Sequence, residues 1–437
     1  MIRNSIPKRN RAVRIAILVL AFIAPPAIAG GLTLYLRMRT PDVPEAATRD
    51  DIATPPARPP VTTKRLAVIV AGNRGTEITD SLPMLELLEE SGAFEVRVVA
   101  PRRVLSPFKS SGFASAGLDF FPDLGFEDYD RLVGRAPDLV VVPYLPAWEN
   151  EDAAVVPWIR SHVGPDTMLL SICDGAWIVA ATGLFDGHRA TGHFMNLADL
   201  TAKYPGITYV SDVRWVRDGK RMSSAALAAG LDATLAAIDT LAGRDAALRA
   251  AAGISYHHVE FLDDPASPTS VSLVGAALEI AYRWEHTRVA VVIDKGTSES
   301  SIAALFDAYA QTLSAHSVAV ATSRNVLETR HGLRVLARDT TNHLGSYSTV
   351  TFATLDHGGL SPYDAAIYAV ANTHGRPMAR LAGSLVNYPT SDLDLAGGVP
   401  VGLTMLLRAL ALGLAGIGAL LLVRFRSAAT GSSLRAG

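Results

Sequence analysis

The chain has 437 residues, of which 49% are hydrophobic, a formal net charge of −2 and a single cysteine. That length implies two or three domains with ample apolar material for a core. The near-balanced charge gives no electrostatic basis for binding nucleic acid, and one cysteine excludes an internal disulfide framework.

Residues 1–14 carry Arg3, Lys8, Arg9, Arg11 and Arg14. Residues 15–36 follow without a charge, enough to cross a bilayer as a helix. The positive-inside rule predicts a cytoplasmic N-terminus, and the Pro25-Pro26 pair predicts a kink. A cleaved signal peptide is the competing reading, with Ala27-Ile28-Ala29 as its cleavage site. The apolar run past Ala29 favours an anchor. Residues 37–64 are rich in proline and read as an extended linker.

Strands and helices then alternate. Residues 66–71 (LAVIVA), 94–100, 138–142 and 167–172 read as strands, with helices at 82–90, at 154–162 and after Cys173. Short strands are expected at 207–209 and 213–216, and an alanine-rich helix at 225–241. This alternation predicts a parallel sheet covered on both faces, with ligands at the carboxyl ends of its strands. The body so defined spans 65–250, and 251–286 reads as a helical connector. At 287 the pattern restarts: a strand at 288–294 (RVAVVID), a helix at 302–313 and a strand at 317–322. Residues 330–336 loosely echo 109–118. Residues 287–398 are therefore expected to be a partial, degenerate α/β repeat serving packing or dimerisation. A second apolar span covers 399–423, with Arg408 expected to snorkel towards headgroups. Arg424, Arg426 and Arg435 follow and predict a cytoplasmic tail, 424–437. Two spans with both ends inside place the body outside a bacterial-type inner membrane.

The chemistry concentrates in 169–194, LLSICDGAWIVAATGLFDGHRATGHF. Cys173 stands between a buried strand and a new helix, a turn that pushes its side chain out of the sheet edge. The helix N–H groups should favour the thiolate, whereas the neighbouring Asp174 opposes it. His193, after a helix and a turn, is the candidate partner of the sulfur. Other patterns carry less. Adjacent His257 and His258 with Glu260 fit no common zinc spacing, so no metal is expected. Gly72-Asn73-Arg74-Gly75 lacks the features of a phosphate loop and reads as a turn. Trp148, Trp158 and Trp177 are expected in core or rim packing.

At these residues the chain resembles the ThiJ/PfpI family of the class I glutamine amidotransferase-like superfamily. The Cys-x-Gly-Ala opening, the Gly-Leu-x-Asp-Gly turn, the Arg-Ala-Thr triplet and His193 stand at family spacing. The later SDVRWVRDGKRMSSAALAAGLD is typical of the branch fused to AraC-type regulators and of isonitrile-hydratase-like enzymes. The resemblance implies a flavodoxin-like three-layer α/β sandwich that often dimerises. It also implies a nucleophile at Cys173, an elbow histidine at His193 and no cofactor. Members include peptidases, glyoxalase- or deglycase-like enzymes, isonitrile hydratases and ligand-sensing domains.

Three departures stand out. The family's carboxylate position falls on Thr79, flanked by Glu77 and Asp80, either of which is a candidate to reach the thiol. The usual Gly-Gly oxyanion loop is replaced by Pro143-Tyr144-Leu145-Pro146, leaving the backbone N–H groups of Asp174 and Tyr144 as expected oxyanion donors. Asp174 itself stands where a small or hydroxyl residue is usual. Two functions remain open: a cysteine-dependent hydrolase or hydratase acting on a small electrophile, and a non-catalytic ligand-sensing module at the membrane. A membrane span stands where regulators of this family carry a DNA-binding domain, so no nucleic-acid partner is expected.

Overall fold

The computed structural model describes residues 8–38, 52–61, 63–110, 115–267, 271–353 and 358–433. Half of the linker expected at 37–64, and part of the segment compared with 330–336, lie outside the described residues. The chain divides into two compact units: the two long apolar helices together with Ser272–Glu285, and the remaining body.

The body is organised by a seven-stranded sheet in the order Trp215–Asp218, Arg221–Ser224, Met168–Ser171, Leu139–Val142, Arg65–Val70, Phe94–Ala100, Leu124–Gly125. All neighbours are parallel except the first two, which form an antiparallel hairpin. The expected flavodoxin-like α/β fold is therefore present. Its central strands are continuous apolar runs because both faces are covered. Val68, Val140, Leu169 and Ile178 are fully buried together.

The sequence reading separated 65–250 from 287–398. The structure joins them in one unit. Ser106–Lys109 and Ser115–Phe121 form an antiparallel hairpin, and so do Val326–Glu328 and Arg334–Ala337. The hairpins pair edge to edge, with Arg334 opposite Phe121 and Leu336 opposite Asp119. Asp119 also holds Arg338 in an ion pair at 2.6 Å. Helix Leu82–Glu90 packs against helix Glu299–Ala310. Across that contact the fully buried Glu86 accepts hydrogen bonds from Ser298 Oγ at 2.8 Å and Ser300 N at 2.7 Å. These contacts link residues more than 200 positions apart, so no local pattern announces them. Strand Thr349–Phe352 and helices Pro362–His374 and Arg376–Leu385 complete this region, and the sequence reading had not anticipated them.

A buried ion pair also ties the two regions. Arg214 and Asp232 pair with about 1% of each side chain exposed. Tyr256 Oη donates to Asp232 at 2.7 Å, and Arg214 donates to the backbone carbonyl of Asn387 at 3.1 Å.

In the other unit, helices Lys8–Met38 and Val401–Ser433 contain segments long and apolar enough to cross a membrane, Val13–Leu36 and Val401–Arg426. The first helix runs on through Pro25 and Pro26. Each proline removes the N–H that would bond the carbonyl four residues back, here those of Ala21 and Phe22. Those carbonyls are what the second helix meets through glycines. A Cβ at Gly416 would lie 2.1 Å from the Ala21 oxygen, and one at Gly413 would lie 2.7 Å from the Phe22 oxygen. Small residues permit the close backbone approach common between membrane helices. Arg408 does not reach outward alone: it forms a two-point ion pair with Glu285 at 2.7 and 2.8 Å.

Removing one partner of a buried ion pair strands the other charge. Asp232→Ala is expected to cost about 3–5 kcal/mol, read as a lowered urea midpoint of the purified protein. A change within about 0.5 kcal/mol, the range of an ordinary surface substitution, would show that the pair is not structurally important.

Candidate active site around Cys173

The strand Met168–Ser171 ends at the sheet's carboxyl edge, and helix Gly175–Ala181 begins four residues later. Cys173 makes the reversal at φ +54°, a left-handed conformation that costs a non-glycine residue of order 1–3 kcal/mol. Two contacts hold it there. Cys173 N donates to Ser224 Oγ at 3.2 Å. Gly175 lies so close to the neighbouring strand that a Cβ would stand 2.1 Å from the Val142 carbonyl oxygen. The sharp elbow expected from the sequence is thus built by backbone crowding that admits only glycine at 175.

The thiol is buried, with 5% of the residue exposed. Burial first, and then the charges of Asp80, Asp174 and Glu77, push its pKa well up. The backbone N–H of Asp174 bonds to the sulfur and opposes this only in part. The sequence expectation of a partly ionised thiol is therefore corrected. The elbow helix has two turns and a correspondingly local field, whereas desolvation and three nearby carboxyl groups act directly on the sulfur.

Glu77 and Asp80 both reach this site and are buried. Glu77 Oε2 accepts from Asp80 N at 2.7 Å, and Asp80 Oδ2 accepts from Tyr144 N at 3.0 Å. That last bond corrects a second expectation: the Tyr144 amide is engaged by Asp80 and is not open to an oxyanion. Asp174 N–H remains the donor at the sulfur. Burial, followed by the charge of Asp307 and of each other, pushes the Glu77 carboxyl well up. Burial and Asp307 do the same to Asp80 against the Tyr144 bond, with Lys109 offsetting part of the effect. Thr79 is also fully buried between them. Asp307 comes from helix Glu299–Ala310 of the second region, and Lys109 from the first hairpin. The sequence reading missed both because neither stands in a motif.

His193 is stacked on Phe194 with ring centroids 4.5 Å apart. Burial lowers its pKa against the pull of Asp174, so its imidazole is neutral at pH 7. Its Nδ1 is buried without a hydrogen-bond partner among the described residues. Asp174 turns its carboxylate to Asn196, whose amide nitrogen donates to both oxygens at 2.8 and 2.9 Å. Tyr144 and Asp174 also line a cavity of about 320 Å³ with Trp148, Trp177, Asn196 and Lys203. Trp158, in contrast, is core.

The remaining sequence candidates resolve locally. The Gly72–Gly75 turn points its Asn73 and Arg74 N–H groups at the Asp152 carboxylate, both at 2.9 Å, which fills any anion position there. His258 meets Glu260 at 3.3 Å while His257 faces the carbonyl of Gly359, so the adjacent histidines point apart. Glu86, Glu299 and His331 bring donor atoms within 4.8 Å. His331 and Thr329 bond Glu299, and Glu86 accepts from Ser298 and Ser300.

Residues 64–240 match the DJ-1/PfpI family. This segment is a DJ-1/PfpI family domain. Isonitrile hydratase of Pseudomonas putida is 29% identical over 203 residues, covering 44% of this chain and 83% of that protein. Among solved structures, Drosophila melanogaster DJ-1beta is 19% identical, with a TM-score of 0.38, over 45% of this chain and 100% of its own. An AraC family transcriptional regulator from Pseudomonas putida is 17% identical, with a TM-score of 0.34, over 43% and 97%.

A raised thiol pKa means that thiolate is scarce at neutral pH and gains only as pH climbs. The alkylation rate of Cys173 by iodoacetamide, measured against pH in the folded protein, is expected to show no inflection below the free-thiol value of about 8.5. In Asp80→Asn, where the first of the opposing charges is gone, the inflection should move to lower pH. An unshifted profile would mean that Asp80 does not act on the sulfur.

Proposed function

We propose that the DJ-1/PfpI domain is a cysteine-dependent hydratase or hydrolase acting on a small electrophile. The observation that carries this is the elbow itself: a strained cysteine at the end of a central strand, with the buried Asp80 carboxyl beside it. A structural cysteine has no need of that conformation. The likeness to an isonitrile hydratase makes isonitriles the first substrates to try.

In such a reaction the Cys173 sulfur forms a bond to the terminal isonitrile carbon. Asp80 takes the thiol proton and delivers it to that carbon. The product of this half is a thioimidate. Water then adds to the same carbon, with the neutral His193 accepting its proton and passing it on. The carbon–sulfur bond breaks, the thiol reforms and a formamide leaves. The sum is one isonitrile plus one water. Asp174 N–H steadies charge at the sulfur.

A second reading is a ligand sensor without turnover. It draws support from the near-complete cover over the thiol and from the occupied Tyr144 amide. The two readings separate by experiment. Formamide release from alkyl isonitriles, and parallel turnover of aldehydes and small amides, is expected in the wild type and should fall at least about 100-fold in Cys173→Ser, the scale of a lost nucleophile or acid–base group. Equal rates in the two proteins would exclude the mechanism, and binding without turnover in the wild type would establish the sensor.

We also propose that the apolar helices span a bacterial-type inner membrane, with the arginine-rich ends inside and the body outside. The flanking charges, Arg9, Arg11 and Arg14 at one end and Arg424 and Arg426 at the other, support this orientation. Protease added to intact spheroplasts should then degrade the body. A body protected until the membrane is permeabilised would reverse the topology.

A further inference from the structure

The cavity bounded by Tyr144 and Asp174 has walls of a particular chemistry. The Lys203 ammonium lies 5.5 Å from the Trp177 ring centroid, 5.6 Å from that of Tyr204 and 5.8 Å from that of Trp148. The Glu149 carboxylate closes on it at 3.1 Å. Aromatic faces within about 6 Å attract a cation through the negative face of each ring. Three rings and a carboxylate around one ammonium form a cation cage, here filled by the protein's own lysine. Both partners are loosely held, with about half of each side chain exposed, 50% for Lys203 and 56% for Glu149. The ammonium also hydrogen-bonds the Tyr204 side chain, and an incoming cation has to displace it from these contacts.

The rest of the cavity has the same sign. Asp174 also lines the cavity, its carboxylate accepting from the Asn196 amide. Of the charged groups lining the cavity, Glu149 and Asp174 are anionic and Lys203 is cationic. Once the lysine moves aside, two carboxylates and the aromatic faces remain. An anionic ligand meets repulsion there, and a neutral one gains only apolar contact.

We propose that this cavity binds a small cationic ligand, an alkylammonium whose positive group replaces the Lys203 ammonium against Trp148, Trp177 and Tyr204. The inference names the ligand class of the site and rests on the cavity being the entrance to Cys173. Lys203 acts as an internal placeholder that keeps the cage ordered when empty and competes with the incoming cation. A cation seated there carries its uncharged end towards Asp174 and the elbow.

The test uses the full-length protein in neutral detergent, with tryptophan fluorescence and calorimetry as readouts and no turnover involved. Choline is the cationic probe and 3,3-dimethyl-1-butanol its neutral counterpart of the same shape. Choline should bind saturably, and the alcohol at least tenfold more weakly. Lys203→Met removes the competitor from an exposed position and should tighten choline binding at least tenfold. Trp177→Leu should abolish it while the thermal transition stays in place. Equal binding of choline and the alcohol, or a Lys203→Met protein with unchanged or weaker choline affinity, would overturn the proposal. Cys173→Ser should leave choline binding intact, so failure of the chemistry and failure of the cage are read separately.

Discussion

The site depends on the contact between Gly175 and the Val142 carbonyl. The first residues of the elbow helix come down onto the end of the neighbouring strand with no space for a side chain. The chain reaches that position only by reversing sharply at Cys173, which takes the left-handed conformation in consequence. The strain is stabilised by the surrounding sheet, whose central strands are buried on both faces. Cys173 N–H is anchored to Ser224 on the next strand, and Asp174 N–H is left facing the sulfur. Position of the thiol, direction of the helix and availability of one amide all follow from this one close approach.

Around that point the electrostatics run against ionisation. Glu77 and Asp80 hydrogen-bond backbone amides, but water is excluded, and Asp307 adds a third carboxyl group facing both. Burial and mutual repulsion strengthen the hold of these carboxyls on a proton, and the thiol beside them is held as thiol. The second α/β region reaches this cluster through Asp307, which acts on both Glu77 and Asp80.

The second region also shows why domain limits were harder to read than elements. Its strand–helix–strand pattern at Thr287–Val292, Glu299–Ala310 and Ala315–Ala321 was legible because each element carries its own periodicity. Its pairing with Ser115–Phe121 was not, because a hairpin edge carries no mark of its partner. The helices Pro362–His374 and Arg376–Leu385 were missed, although Ser361, Pro362 and Asp364 spell a helix start ahead of the first. The elbow, in contrast, was visible from Cys173, Gly175 and the flanking apolar runs, since strand, turn and helix are contiguous. The apolar spans were visible for the same reason. The Arg408–Glu285 pair was not, because it joins distant residues.

The sequence by itself determined the alternation of strands and helices, the family, the elbow at Cys173 and the two apolar helices. Each is written in residues close together along the chain, where periodicity, glycine placement and charge act locally. Tertiary structure alone decided the protonation of the thiol, the engagement of the Tyr144 amide by Asp80, the arrival of Asp307 and Lys109, and the enclosure of Lys203 by three aromatic rings. Those outcomes depend on distance and solvent exclusion between groups far apart in sequence, and electrostatic energy is set by that distance and by the surrounding medium.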